Sequence, residues 1–189
     1  MGYGTMVYSL DFAAHRASLD SGDDKLRRMI SGRFRRDIQR LNEELDWSNE
    51  RGAPNVFEAI RHLLMGGPKE LPGAMYGYGY KFIVEFQGRF LPNDRFYPCR
   101  SSYQEEELQP QLDALDLGLR LDRLNFGGAL ADFPPPMDFP GIGHWDPDEI
   151  ARARPLLDAA TGLSPELEQV RGWLRQAHDA GHGLIGFYH

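Results

Sequence analysis

The residues of this chain that could perform metal or acid–base chemistry are histidines in its last third. His178 and His182 stand four positions apart, with Asp179 between them. Two histidines four apart on one helical face are a metal-binding spacing. However, the chain has no H-E-x-x-H pattern, Gly181 is expected to end the helix before His182, and the helix dipole favours histidine at helix C-termini. We therefore expect a solvated helix end here, and neither a metal nor another cofactor.

A second candidate is His144, in the segment IGHWDPDE, where Trp145, Asp146, Asp148 and Glu149 follow it. A histidine beside carboxylates in a loop can act as a general acid or base. Asp146 and Glu149 also fit the pattern that begins a helix, which gives both carboxylates a structural role. We favour the structural role over catalysis by His144 and Asp146.

The single cysteine, Cys99, is a third candidate. Arg95 and Arg100 could lower the pKa of its thiol, but lone cysteines are more often small buried apolar residues. One cysteine forms no internal disulfide and no zinc ribbon, and this fits a reducing compartment. The sequence contains no nucleophile elbow, phosphate loop or dinucleotide fingerprint. These observations lean against an enzyme, and a small hydrolase or metal-dependent enzyme using His144 or His178 and His182 is the alternative.

The charges are unevenly distributed along the chain. The formal net charge is −7, yet the stretch from Lys25 to Arg40 holds seven basic residues and one acidic residue. Helical spacing of Ile30, Phe34 and Ile38 predicts that the basic residues occupy the opposite face, namely Lys25, Arg28, Arg33, Arg35, Arg36 and Arg40. Such a face could bind RNA, but the acidic remainder would repel nucleic acid, and no exposed aromatic residues are interleaved. We favour pairing of these arginines with acidic residues elsewhere, such as Glu43, Glu44 and Glu105 to Glu107.

The acidic surplus outside this stretch suits a basic protein partner, because complementary fields speed and select association. A second candidate surface is the loop FPPPMDFPGIGHW, from Phe133 to Trp145. Its aromatic and methionine side chains could anchor a partner or equally hold the loop against its own domain. The binding residues assigned to these surfaces are Phe133, Met137, Phe139, Trp145, Asp132, Asp138 and Asp148.

The elements that position these residues follow from the apolar pattern. The densest apolar run, Ala74 to Phe90, fits both strand alternation and helical spacing. Its length favours a buried central helix from Tyr76 to Phe90, ended by Pro92. The other predicted strands are Tyr3–Leu10, Leu119–Phe126 and Leu184–Tyr188. The other predicted helices run from Asp24 to Leu41 and begin at Asn55, Ser102, Asp146 and Ser164, with a break at Pro110. A charged connection is predicted at 42–54 and an irregular loop over Ala129–Trp145.

Together these elements predict a single α+β domain spanning 1–189, mostly helical, in which a small sheet pairs the N- and C-terminal strands. No apolar run approaches the ~18 residues of a membrane helix and no signal-type segment opens the chain, so we expect a cytoplasmic protein.

The opening MGYGTMVYSLD, the close VRGWLRQAHDAGHGLIGFYH and the segments GDDKLRRMISGRF and LPNDRFYPCRSS resemble the YfbM-like bacterial proteins of unknown function. The resemblance implies an α+β fold and a soluble bacterial protein, and it supplies no catalytic residues. Some relatives are suspected members of toxin and immunity loci. With the charge surplus, this favours a non-enzymatic protein-binding factor of the immunity or antitoxin type.

Overall fold

A computed structural model describes residues 3–45 and 55–189. The elements in chain order are β1 (Thr5–Leu10), α1 (Phe12–Ser18), α2 (Asp24–Arg33), α3 (Arg35–Leu45), α4 (Val56–Met65), α5 (Gly73–Gln87), β2 (Arg89–Leu91), α6 (Ser101–Tyr103), a π-helical segment (Gln104–Leu108), α7 (Gln109–Ala114), α8 (Leu121–Phe126), β3 (Gly141–Trp145), α9 (Pro147–Ala159), α10 (Pro165–Ala180) and β4 (Gly183–Tyr188). The predicted α+β class is confirmed. Within the described residues, no helix is long and apolar enough to cross a bilayer.

The chain divides into two compact units. The sheet unit comprises Met1–Phe12, Gly88–Leu130 and Gly141–His189, and the helical unit comprises Ala13–Gln87 and Ala131–Pro140. The expectation of one domain over 1–189 stays a prediction.

In the sheet unit, four antiparallel strands lie in the order β2-β1-β4-β3. The predicted pairing of the terminal strands is confirmed, since Thr5 is opposite Tyr188 and Leu10 is opposite Gly183. The core of this unit includes Trp145 and Trp173, which are at most 1% exposed. It is closed by α9 and α10, whose predicted caps at Asp146 and Ser164 are both present.

Two predictions for the sheet unit are wrong. The segment Leu119–Phe126 is not a strand, since Leu121–Phe126 is helix α8, and the loop predicted over Ala129–Trp145 ends in strand β3. Gly143 and Gly186 are opposite each other on β3 and β4. A side-chain carbon added at Gly143 would lie 1.9 Å from the carbonyl oxygen of Arg123, and one added at Gly186 would lie 2.4 Å from that of Leu124. The paired glycines therefore form a flat slot in the sheet that accepts the α8 backbone.

A continuous helical stretch links α6 to α7 and lies beside α8. Ser102 is not the cap of this stretch as predicted, because the helix begins at Ser101 after the N-cap residue Arg100, whose side chain makes no capping hydrogen bond. Pro110 lies in the first turn of α7 and does not interrupt the stretch. Proline donates no N–H and crowds the carbonyl four residues earlier, and the wider π-helical turn before Pro110 accommodates it.

In the helical unit, the central apolar run forms helix α5. The helix alternative for this run is therefore correct and the strand alternative is not. The helix covers Gly73–Gln87 rather than Tyr76–Phe90, because Phe90 lies in β2, which pairs with β1. Gly79 lets α4 approach, since a side-chain carbon there would lie 3.2 Å from Cβ of Ala59. Helix α4 begins at the predicted cap, where the Asn55 side chain accepts a hydrogen bond from Glu58 N–H.

The helix predicted from Asp24 to Leu41 is two helices, α2 and α3, with a turn at Phe34. The apolar stripe is confirmed, because Ile30, Phe34 and Ile38 are 0 to 7% exposed. Most of the charged connection predicted at 42–54 lies outside the described residues.

Candidate functional site

A polar cleft opens in the sheet unit between the α6–α7 stretch and α8. Its volume is about 180 Å³. The residues that line the cleft are Ser101, Gln104, Glu105, Gln109, Arg120, Asp122, Asn125 and Phe126. It is bounded on one side by the π-helical segment, and π-helical turns occur frequently at functional sites.

Two residues that line the cleft floor, Gln104 and Asn125, form with Thr5 a closed ring of three hydrogen bonds, called the amide ring below. Thr5 Oγ1 donates to Asn125 Oδ1 (2.8 Å), Asn125 Nδ2 donates to Gln104 Oε1 (2.8 Å), and Gln104 Nε2 donates to Thr5 Oγ1 (3.1 Å). All three side chains are 1% exposed. Buried polar groups that are mutually satisfied fix their own orientation, so the floor is preorganised.

Gln109 and Trp145 hold the start of α8 at the edge of the cleft. Gln109 Nε2 donates to the carbonyl of Leu119 (3.0 Å), and Gln109 Oε1 accepts from the N–H of Leu121 (2.8 Å). Trp145 Nε1 donates to the carbonyl of Arg120 (2.9 Å). The backbone from Leu119 to Leu121, which carries the rim residue Arg120, is therefore held in position by buried partners.

The charge on the cleft lining is negative. Arg120 is engaged by Asp122 through two hydrogen bonds, of 2.9 and 3.3 Å. The hydrogen bond from Arg120 holds the pKa of Asp122 below its usual value, and Asp122, with the fields of Asp113 and Glu105, raises the pKa of Arg120. Glu105 is exposed. Two carboxylates against one guanidinium leave an excess negative charge on the lining.

An aromatic ring completes the rim. Phe126 is 52% exposed and packs its ring edge-to-face on Tyr188, with 5.3 Å between ring centroids. Exposed aromatic faces attract cations. The groups that line the cleft are therefore hydroxyl, amide, carboxylate, guanidinium and aromatic groups.

The candidate histidines His144, His178 and His182 do not line the cleft, and each contacts a different partner. His178 Nδ1 accepts a hydrogen bond from Arg154 (2.8 Å), whereas His182 Nδ1 lies 3.1 Å from the hydroxyl of Ser9. A search of the described residues finds no group of three or more His, Cys, Asp or Glu side chains that could hold a metal ion. His144 Nδ1 donates to the carbonyl of Gly128 (2.9 Å).

The carboxylates after His144 have structural partners. Asp146 and Glu149 form the reciprocal cap of α9, and both pair with Arg123. For Cys99 the sequence favoured a small buried residue over a thiol of lowered pKa; the residue is 8% exposed, and burial raises the pKa of its thiol. The field of Glu166 raises this pKa further, whereas the hydrogen bond with Gln104 lowers it.

The loop residues assigned to binding separate into buried and exposed positions. The prediction that Trp145 could anchor a partner is wrong, because Trp145 lies in β3 and is 0% exposed. Phe133 packs on Tyr76 and Tyr80 of α5, with ring centroids 5.8 and 5.6 Å apart. Met137 is fully exposed and Phe139 is half-buried. The acidic residues Asp132, Asp138 and Asp148 are all exposed.

Sequence reasoning missed two histidine–tyrosine pairs in the helical unit. His15 Nδ1 donates to Gln87 Oε1 (2.5 Å), and its Nε2 accepts from the Tyr80 hydroxyl (3.1 Å). His62 Nδ1 lies 2.9 Å from the Tyr76 hydroxyl. Both tyrosines are 0% exposed, which is the interior position expected for the tyrosines of the central run.

The amide ring was also missed, although one signal for it exists. Gln104 precedes Leu108 and Leu112 at four-residue intervals, and both leucines are at most 1% exposed. A glutamine on an apolar helical stripe indicates a buried amide that needs partners.

A family model described as Domain of unknown function (DUF7691) matches residues 1–189. The chain belongs to this family. Neither a search of curated proteins nor a search of solved structures finds a match.

Proposed function

We propose that this member of the DUF7691 family is a non-enzymatic binding protein that accepts a cationic side chain of a partner protein in its polar cleft. The observation that carries the proposal is the convergence of Glu105, Asp122 and the exposed Phe126 ring on one cavity above the amide ring.

The size of the cleft supports a side chain as its occupant. Pockets for drug-sized ligands have volumes of about 300 to 1,000 Å³, and the cleft has about 180 Å³. Its excess negative charge favours a cation, and carboxylates with an aromatic face suit the flat, donor-rich guanidinium of arginine. A basic protein partner, favoured by the charge surplus of the sequence, would present such groups.

The test compares N-acetyl-arginine methylamide with its neutral isostere, N-acetyl-citrulline methylamide, by NMR titration. We expect arginine to bind about tenfold more tightly, the lower end of the range for a hydrogen bond to a charged group. We expect shifts in the side-chain amide signals of Gln104 and Asn125. Equal affinity for the two compounds would contradict the proposal.

The variant Glu105→Gln should weaken arginine binding about fivefold to tenfold. Its matched control is Glu106→Gln, because Glu106 is the adjacent exposed glutamate and does not line the cleft. If both variants weaken binding equally, the affinity reflects the general field of the protein and not this cleft.

A finer proposal is that the protein is a bacterial immunity or antitoxin-like factor related to the YfbM-like proteins. The shared terminal motifs and the acidic surplus support it. The alternative, a hydrolase or metal-dependent enzyme, has less support, because His144 and the pair His178 and His182 face separate partners.

A further inference from the structure

A row of cations on α2 and α3 of the helical unit has no part in the proposed function. The basic row comprises the exposed residues Lys25, Arg28, Arg33, Arg35, Arg36 and Arg40. The two helices are nearly continuous, because Phe34 N–H donates to Ile30 O (3.0 Å) and Ile38 N–H donates to Phe34 O (2.9 Å). Ile30, Phe34 and Ile38 are buried, so the cations lie on the opposite face.

Within the described residues, much of the basic row has no acidic partner. Arg28 pairs with Asp24 (3.0 Å) and Arg40 pairs with Asp37 (3.4 Å), both within their own helix. Among residues 3–45 and 55–189, Lys25, Arg33, Arg35 and Arg36 form no ion pair. The expected pairing with distant acidic residues is therefore absent from the described part of the chain.

The unit that carries the row is nearly neutral. It has 12 lysines and arginines and 13 aspartates and glutamates, whereas the sheet unit has 9 and 15. The acidic surplus that argued against nucleic acid belongs mainly to the sheet unit. Repulsion of a polyanion is accordingly weaker at the basic row than the net charge of the chain suggests.

The surroundings of the row favour phosphates over a protein partner. Protein interfaces have an apolar core, and the only large apolar side chain that is exposed on described α2 and α3 residues is Met29, which is 49% exposed. Five of the six cations are arginines, whose planar fork matches phosphate oxygens. Single strands need exposed aromatic rings for stacking, and α2 and α3 expose none among their described residues.

We propose that the basic row is a docking surface for the phosphate backbone of B-form DNA. An α-helix fits the major groove of B-form DNA, whereas the major groove of double-stranded RNA is too deep and narrow to admit one. The row is about 22 Å long at the ~1.5 Å rise per helical residue, so it can follow about two-thirds of a ~34 Å turn of duplex. The surface reads charge and not base sequence.

The test is fluorescence anisotropy of a labelled 20-base-pair duplex with the full chain between 50 and 200 mM KCl. Four to six phosphate contacts predict a slope of log K against log salt of about −4 to −5. Replacing Arg33, Arg35 and Arg36 with glutamine should flatten the slope by about 2.7. Gly32→Arg should steepen it by about 0.9, because an added side-chain carbon there meets no atom within 4 Å.

A matched control replaces three exposed arginines of the sheet unit, Arg89, Arg100 and Arg152, with glutamine. This variant has the same change in net charge and should retain the wild-type slope. The proposal is overturned if the control flattens the slope equally or if 100 µM protein leaves the duplex unbound at 50 mM KCl. Tighter binding of single-stranded RNA or polyglutamate than of the duplex would also overturn it.

Discussion

Replacing Asn125 with alanine removes one member of the amide ring and leaves two buried partners without their hydrogen bonds. Thr5 Oγ1 loses its acceptor and Gln104 Oε1 loses its donor, and both residues are 1% exposed. Each buried polar group left unsatisfied costs about 1 to 3 kcal/mol. The variant should therefore lose about 2 to 6 kcal/mol of unfolding free energy.

Urea unfolding followed by tryptophan fluorescence measures this loss. Two of the three tryptophans, Trp145 and Trp173, are buried in the same unit as the amide ring, so their share of the emission reports unfolding of that unit. At about 2 to 4 °C per kcal/mol for a chain of this size, the melting temperature should fall by at least ~4 °C. The control Gln39→Ala truncates an exposed amide and should change stability by less than about 0.5 kcal/mol.

A loss below about 1 kcal/mol for Asn125→Ala would refute the reasoning, because it is less than one unsatisfied buried group costs. A second check is the variant Thr5→Ala combined with Asn125→Ala. Since both residues belong to one ring, the two losses should be non-additive by about 0.5 to 3 kcal/mol. Additive losses would mean that the ring does not act as a unit.

Three further predictions concern other parts of the chain. Burial lowers the pKa of His15 in the folded chain, so the stability of the wild-type protein should be highest above pH 6.5, the unfolded pKa, and should fall as the pH drops toward the lowered folded pKa. Thermal unfolding between pH 7.5 and 5 should show that the melting temperature of His15→Gln depends less on pH than that of the wild type. An equal pH dependence of the two melting temperatures would contradict this prediction. Gly143→Ala should lower the unfolding free energy by about 3 kcal/mol or more, because the added methyl meets the α8 backbone, whereas the exposed Gly32→Ala should stabilise by at most about 1 kcal/mol, both measured in urea. Because burial raises the pKa of the Cys99 thiol, a thiol reagent at pH 8 should react much more slowly with the native chain than in denaturant, and equal rates would refute the buried position.

Local signals in the sequence predicted most of the helices. The caps at Asn55, Asp146 and Ser164 begin their helices as predicted, because a cap is satisfied by backbone groups three residues away. The apolar stripe of α2 and α3 is buried for the same reason, since helical periodicity acts over a few turns. The terminal strands could be predicted because their apolar runs are flanked by clear breaks.

The cleft could not be predicted, because its groups come from distant parts of the chain. Thr5 and Asn125 are 120 positions apart, and Gln104 is 99 positions from Thr5. The alternation of Leu119–Phe126 resembles a strand, and the slot at Gly143 and Gly186, which accepts the α8 backbone, comes from two other strands far along the chain.

The sequence alone determined where α4, α9 and α10 begin, which face of α2 and α3 is apolar, and that charge is concentrated between Lys25 and Arg40. These properties depend on residues that are only a few positions apart in the sequence, and the helical backbone fixes the relative positions of such residues. Tertiary structure decided which polar side chains meet at the amide ring and which cations have no acidic partner among the described residues. Those outcomes depend on how segments that are distant in the sequence pack together. Burial then determines which of their polar groups need hydrogen-bond or ion-pair partners.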